Sequence, residues 1–209
     1  MIEGLAESLD RGVVCSNYTD PKHTWEVLKN FKGGNAVFTQ PTTPIKCGGA
    51  PQKIAYLAAD YIRKNGLADK SEVVFATPGS VIFGVKVIAN TLMQVIHRYH
   101  IHFKPKYEPI KIDGENRIIT FKPVIDEIND CVVNEGNVLN EKQVGQSLIE
   151  MPFDMLHLAP PQTAPAFVKQ SPLASEKGWL EVDIHSLQHK RYPNVFGLGD
   201  VAELPTAKT

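Results

Sequence analysis

Residues 35–66 read NAVFTQPTTPIKCGGAPQKIAYLAADYIRKNG, and the order strand, loop, helix within them decides the fold class. Asn35 to Gln40 is a short apolar run around Val37 and Phe38, the pattern of a buried strand. Pro41 and Pro44 then remove backbone donors and predict an extended loop that cannot continue a ladder. From Ile54 the apolar residues Ile54, Leu57, Ala58, Tyr61 and Ile62 recur at the spacing of one helical face. Pro51 suits a first turn and Gly66 a left-handed stop, so the pattern predicts a helix over 51–65.

Cys47 lies between these two elements, where α/β domains place reactive or ligand-binding groups. A thiol just ahead of a helix start meets unpaired amide donors and the positive end of the dipole. Lys46 and Lys53 add cationic charge, and all three influences favour thiolate over thiol. A single cysteine is commonly a small buried hydrophobe. Here Gly48 and Gly49 follow it directly, permitting close backbone approach that a packed core thiol does not require, and this favours a functional role.

Outward from this stretch, Gly4 to Asn17 offers no complete element, and Thr24 to Phe31 reads as a helix ending at Gly33-Gly34. Glu72 to Ala76 is a second buried strand. Val85 to Tyr99 is a second helix, with Ile88, Leu92, Val95, Ile96 and Tyr99 on one stripe. Strand–helix alternation at this spacing predicts a parallel sheet of Rossmann-like α/β type. Ile101 to Ile112 and Arg117 to Phe121 alternate around Asp113-Gly114, which predicts an antiparallel hairpin. Asn129 to Glu150 is polar and irregular, and reads as a hairpin extension or a mobile loop. Met155 to Ala159, Trp179 to Ile184 and Val195 to Leu198 read as further strands. Phe75, Phe83 and Tyr99 are core by spacing.

The whole chain of 209 residues can bury a sizeable core in one or two domains. Interspersed charges with a net value of −1 leave no basic footprint for nucleic acid. Three widely spaced cysteines make neither a disulfide scaffold nor a CxxC metal site, and fit a reducing compartment. His97, His100 and His102 fall at a helix end and in a strand pattern, so no metal site is expected; His157 and His189 have no partners in sequence that assign them a role. No run reaches the ~20 apolar residues of a membrane-spanning helix. Met1 to Ser8 has no basic-then-apolar signal pattern, so the chain is expected to be soluble.

A second motif closes the sequence. In RYPNVFGLGD (Arg191 to Asp200) a strand ends in Gly199-Asp200. Such an end lets backbone approach a ligand while the carboxylate accepts hydrogen bonds from hydroxyl groups, such as those of a ribityl chain.

Taken in this order, the two motifs resemble the sulfide:quinone oxidoreductases. The matching segments are CSNYTD (15–20), the run from Thr24 to Gly66, FDMLHLAPPQTAP (153–165), YPNVFGLGD (192–200) and LPTAKT (204–209). The resemblance implies a flavoprotein that oxidises hydrogen sulfide at a redox cysteine pair, passes two electrons to FAD and then to a membrane quinone, and hands its sulfur to an acceptor. It places Cys47 on the flavin-side redox cysteine, Lys53 on an FAD-contacting lysine, and Gly199-Asp200 at the ribityl side. Cys15 coincides with a cysteine present in only some members, which makes it a second catalytic candidate beside a structural role.

The resemblance further implies three parts: 1–34 connecting from an FAD-binding domain, 35–152 an NAD(P)-binding-like domain carrying the redox cysteine, and 153–209 returning to the FAD domain with partial strands. No G-x-G-x-x-G is present, and the second redox cysteine is expected beyond Thr209, since neither Cys15 nor Cys131 has its context. The sequence is therefore expected to be an inactive fragment with doubtful FAD binding. Its parent would attach to a bacterial plasma membrane or mitochondrial inner membrane, with a homo-oligomer as one option. Two other readings stand beside this one: an NAD(P)H-dependent flavoprotein reductase, and an inert interaction domain.

Overall fold

The computed structural model describes residues 2–42, 45–124 and 138–205. Cys131, the start of the polar stretch after 129, and the final Lys208-Thr209 lie outside the described residues. Two compact units emerge, one of residues 1–42 with 49–160, the other of residues 43–48 with 161–209.

The first unit opens with α1 (Leu5–Ser8), β1 (Val14–Cys15), α2 (Pro21–Asn30) and β2 (Gly34–Thr39). It continues through α3 (Ala50–Lys64), β3 (Ser71–Thr77), α4 (Lys86–Arg98) and β4 (Ile101–Pro105). Then follow β5 (Tyr107–Asp113), β6 (Ile118–Pro123), β7 (Lys142–Val144), β8 (Leu148–Pro152) and β9 (Met155–Leu158). One sheet is parallel throughout, in the order β1-β9-β2-β3-β4; the other is antiparallel, in the order β5-β6-β8-β7. The expected mixture of parallel sheet and antiparallel hairpin is therefore observed.

Several local expectations are corrected. The segment from 4 to 17 contributes α1 and a two-residue strand, too short to leave a period in sequence. α2 begins at Pro21, ahead of Thr24, because Asp20 caps it by accepting from the His23 amide at 2.9 Å and Pro21 occupies the first turn. Residues 101–105 join the parallel sheet beside β3, so only Tyr107 onward belongs to the hairpin. Of the two options for the stretch up to Glu150, its described end takes the hairpin extension, adding β7 and the start of β8 to the sheet of β5 and β6.

Both long helices bury most of the expected stripe, Ala58 and Ile62 in α3 and Ile96 in α4, with Ile54, Tyr61, Leu92 and Tyr99 packed against the core; one residue of each stripe, Leu57 and Ile88, falls outside it. α3 buries Pro51, Gln52, Ala55, Ala58, Ala59 and Ile62, and leaves Leu57 66 % exposed. Small alanines let the helix lie close to the sheet, and size-weighted periodicity overlooks them. α4 buries Ile96 fully, with Ala89, Leu92, Met93 and Tyr99 partly buried, whereas Ile88 is exposed.

The parallel sheet is covered on both sides. Val14, Val37, Val74, Ala76, Leu156 and Leu158 face Ile119, Phe121, Ile149 and Met151 of the antiparallel sheet. On the other side, Ala36, Phe38 and Phe75 meet the helices. Register aligns Cys15, His157, Phe38, Phe75 and Phe103 in one row across all five strands. Phe38 stacks on His157 with ring centroids 5.8 Å apart, and Phe75 on Phe103 at 6.2 Å. Away from this row, Lys104 and Glu141 form a buried ion pair at 3.1 Å. Asn35 donates both amide hydrogens to carbonyls, those of Leu139 and Pro152, each at 2.9 Å.

The second unit is built differently. Among the described residues it holds one short α-helix, α5 (Ala166–Lys169), a 3₁₀ turn at Gly199–Val201, and a small core of Ala164, Val168, Leu180, Val182 and Ala202. The strands expected at 179–184 and 195–198 are present only as isolated bridges, Leu180 with Ala174 and Ala202, Val182 with His189, and Gln188 with Phe196. Side chains take over the work of a ladder here. Buried His189 accepts from the Arg191 amide at 3.0 Å through Nδ1, so Nε2 carries the proton and donates to the Leu173 carbonyl at 3.0 Å.

His157 ties folding to pH. It is fully buried, its Nε2 accepts from the Asn17 amide at 3.0 Å, and its Nδ1 has no hydrogen-bond partner among the described residues. Burial pushes its pKa down from 6.5 to about 4. Neutral His157 therefore favours the fold above pH 6.5, and that contribution is lost as the pH falls through about 4. Urea titrations of the wild type should lose on the order of 3 kcal/mol more than His157→Phe over this window. Equal pH slopes in the two proteins would contradict the assignment.

Candidate functional site

The connection from β2 to α3 runs from Gln40 to Gly49 and carries Cys47 near its end. Cys47 is half-buried and has φ +76°, a left-handed conformation uncommon for a residue with a side chain. The residue before it is held at two points. The Lys46 amide donates to Gln162 Oε1 at 2.7 Å, and the Lys46 ammonium lies 3.7 Å from the centroid of the Trp179 ring. The boundary between the two compact units falls between Gly48 and Gly49. Beyond it, the first turn of α3 has its own anchor. Buried Gln52 donates to the Ile82 carbonyl at 2.9 Å and accepts from the Tyr56 hydroxyl at 2.8 Å. Lys53, one residue on, is exposed.

Cys15 sits in the opposite environment. It has no solvent exposure and its thiol donates to the Leu156 carbonyl at 3.5 Å. Burial pushes its pKa up to about 12; a hydrogen bond with Thr24 opposes this rise and the Asp10 charge adds to it. Its side chain shares the sheet row with His157 and Phe38 and packs among the core of the first unit.

In VFGLGD the two glycines serve different ends. A Cβ on Gly197 would overlap Leu180 Cδ2 and lie 2.9 Å from Val182 Cγ1, so Gly197 allows the small core to close. Gly199 has φ +71°, and a Cβ there would meet nothing within 4 Å. Asp200, in the 3₁₀ turn Gly199–Val201, is exposed, as are Phe196 and Leu198. An open backbone beside an accessible carboxylate suits a hydroxyl-bearing ligand.

Of the residues singled out in sequence, Cys47, Gly199 and Asp200 belong to the second unit, and Cys15 and Lys53 to the first. Periodicity gave no sign of Gln162, Trp179 and Gln52. The available signals were a glutamine just after Pro160-Pro161, a tryptophan opening an apolar run, and a polar residue on the packed side of a helix. Among the described residues no group of three or more His, Cys, Asp or Glu side chains could hold a metal ion. His102 instead pairs with Glu72 at 2.7 Å across β3 and β4.

Comparison with known proteins adds to this geometry. No family model matches the chain. The mitochondrial sulfide:quinone oxidoreductase of Mus musculus is 40% identical over 210 residues, which take in 100% of this chain and 43% of that protein. The chain is a homologue of the sulfide:quinone oxidoreductases. The mitochondrial enzyme of Dictyostelium discoideum is 36% identical over 212 residues, again 100% of this chain and 42% of the relative. The chain thus spans less than half the length of the curated relatives it matches. In fold it is similar to the sulfide:quinone oxidoreductase of Aquifex aeolicus, with a TM-score of 0.72 at 16% identity over 98% of this chain and 44% of that one.

Two measurements check this description. Alkylation followed by peptide mass mapping should modify Cys47 in the folded protein and leave Cys15 unmodified until the protein unfolds; early labelling of Cys15 would contradict its burial. Gly197→Ala should destabilise the protein by about 1–3 kcal/mol in denaturant unfolding through overpacking against Leu180, whereas Gly199→Ala should disturb the packing of Leu180 much less.

Proposed function

We propose that the protein containing this sequence oxidises hydrogen sulfide to sulfane sulfur with a quinone as electron acceptor, and that Cys47 is its flavin-side redox cysteine. The observation that carries the reading is Cys47 itself: partly accessible, left-handed, followed by two glycines, and set in the strand-to-helix connection of a chain homologous to these enzymes.

In this reading Cys47 forms a disulfide with a second cysteine of the same enzyme. Hydrosulfide attacks the sulfur of that partner. A new S–S bond forms, giving a persulfide that keeps the hydrosulfide hydrogen on its terminal sulfur. The old S–S bond breaks, and Cys47 leaves as the thiolate with the electron pair. A sulfur acceptor later removes the sulfane sulfur. FAD, when bound, supplies the two-electron acceptor that links the thiolate to quinone. Gly199 and Asp200 would hold its ribityl side, since the open space over Gly199 with the exposed Asp200 carboxylate fits a ribityl chain. Cys15 takes a structural role, because a thiol sealed in the core and raised to about 12 holds almost no thiolate at neutral pH.

The parent enzyme works at the membrane where its quinone resides, a bacterial plasma membrane or the mitochondrial inner membrane. No helix among the described residues is long and apolar enough to cross it. The parallel sheet also fits an NAD(P)H-dependent flavoprotein reductase. Against that reading, the connection after β2 carries Pro41 and Cys47 where a pyrophosphate site needs a tight glycine turn at a helix N-terminus.

Cys47→Ser in the full-length enzyme should abolish sulfide-dependent flavin bleaching while leaving dithionite bleaching intact. Near-normal bleaching by sulfide would refute the assignment, and reduction by NADH in place of sulfide would favour the reductase.

A further inference from the structure

The contacts of the second unit link the Cys47 segment to the Gly199–Asp200 turn through one dipeptide, Trp179-Leu180. Lys46 places its ammonium 3.7 Å from the Trp179 ring centroid, well inside the ~6 Å reach of a cation–π contact. The Trp179 carbonyl accepts from the Ser175 amide at 2.8 Å, which fixes the backbone beneath the ring. The next residue, Leu180, donates to the Val201 carbonyl at 3.0 Å and accepts from the Glu203 amide at 2.8 Å. These two contacts bracket the residues directly after Asp200. Leu180 also fills the space that Gly197 leaves by lacking a side chain.

Cys47 holds a left-handed φ that is uphill for any residue with a Cβ, and such conformations persist where the surroundings over-determine them. The neighbouring residue supplies two constraints, one on its backbone through Gln162 and one on its side chain through Trp179. We infer that Trp179 is a positioning residue: its ring holds Lys46, so that Cys47 keeps a fixed orientation relative to the turn carrying Asp200. The inference deepens the proposed redox role of Cys47 and rests on it.

Lysine's stem and ammonium suit this task because a charge over an indole face resists sliding while remaining hydrated on its outer side. Arginine can reproduce the contact and methionine cannot, although methionine matches the stem in length. Phenylalanine keeps a weaker ring face and leucine none. The series therefore separates loss of the cation–π contact from loss of bulk.

The test uses the full-length enzyme carrying Lys46→Met, Lys46→Arg, Trp179→Phe, Trp179→Leu, and the Lys46→Met/Trp179→Leu pair. The first readout is the rate of alkylation of Cys47 in the reduced enzyme across a pH series, resolved by peptide mass mapping, which needs no sulfide turnover. The second is sulfide-dependent kcat. Lys46→Met and Trp179→Leu should each change the Cys47 alkylation rate and displace its pH profile, and lower kcat by roughly three- to thirtyfold. Lys46→Arg should restore most of both, Trp179→Phe part of both, and the double variant should be no worse than either single one. If folded Lys46→Met keeps the wild-type alkylation profile and kcat within about twofold, or if the two losses multiply in the double variant, the positioning role is wrong. Lys46→Met leaves the small core untouched, so it decides the matter even if Trp179→Leu fails to fold. If alkylation responds as expected while Cys47→Ser still oxidises sulfide, the strut stands and the redox reading falls.

Discussion

The insertion of β9 between β1 and β2 is the constraint on which the first unit depends. Met155 to Leu158 pair in parallel with two strands that lie far earlier in the chain, and none of the four is accessible to solvent. A strand buried on both faces must be apolar throughout, because a polar side chain placed there has to find its partner within the protein. His157 is the exception. Its ring fills the gap between Cys15 and Phe38, and the Asn17 amide supplies the partner for one nitrogen. The sheet thereby accepts a titratable group at its centre in exchange for fixing the segment after Cys15.

The second unit solves a different problem with little regular structure. Its core is small, and its turns are closed by side chains such as His189 and Asp183, the latter accepting from the His185 and Ser186 amides at 3.1 and 2.9 Å. Leu180 is the pivot, since the backbone around 201–203 hydrogen-bonds to it on both sides and Gly197 makes room for it. Residues 43–48 belong to this unit although they are flanked in sequence by the other. The diglycine at 48–49 spans the point where the chain passes back from this unit to the first.

Reading the sequence recovered the elements that have strong periods or sharp punctuation. The strand–loop–helix order of 35–66, the second strand and helix, and the hairpin at Asp113-Gly114 were all legible, because proline, glycine and apolar spacing act locally. What escaped was decided by distant partners. β1 has two residues and exists only because β9 accepts it; β4 alternates like a hairpin strand yet pairs with β3. The α3 stripe took in exposed Leu57 and passed over Ala55 and Ala59, because alanine carries little hydrophobic weight while permitting the closest approach to a sheet. Gln162 and Trp179 were invisible as a pair, since nothing local marks a glutamine amide oxygen and an indole face as receptors for the same lysine.

The two described cysteines show why residue type alone assigns no chemistry. Cys15 ends a strand whose neighbours remove it from water, and the free energy of creating a charge there lifts its ionisation far above neutrality. Cys47 stands outside the sheet, on a segment shaped by proline, glycine and a clamped lysine, with solvent at its side. A thiol intended for exchange with sulfur nucleophiles needs access and a fixed direction of attack, and a core position can provide neither. The fold therefore gives the two sulfurs different surroundings, placing one within a ladder and the other where the ladder has ended.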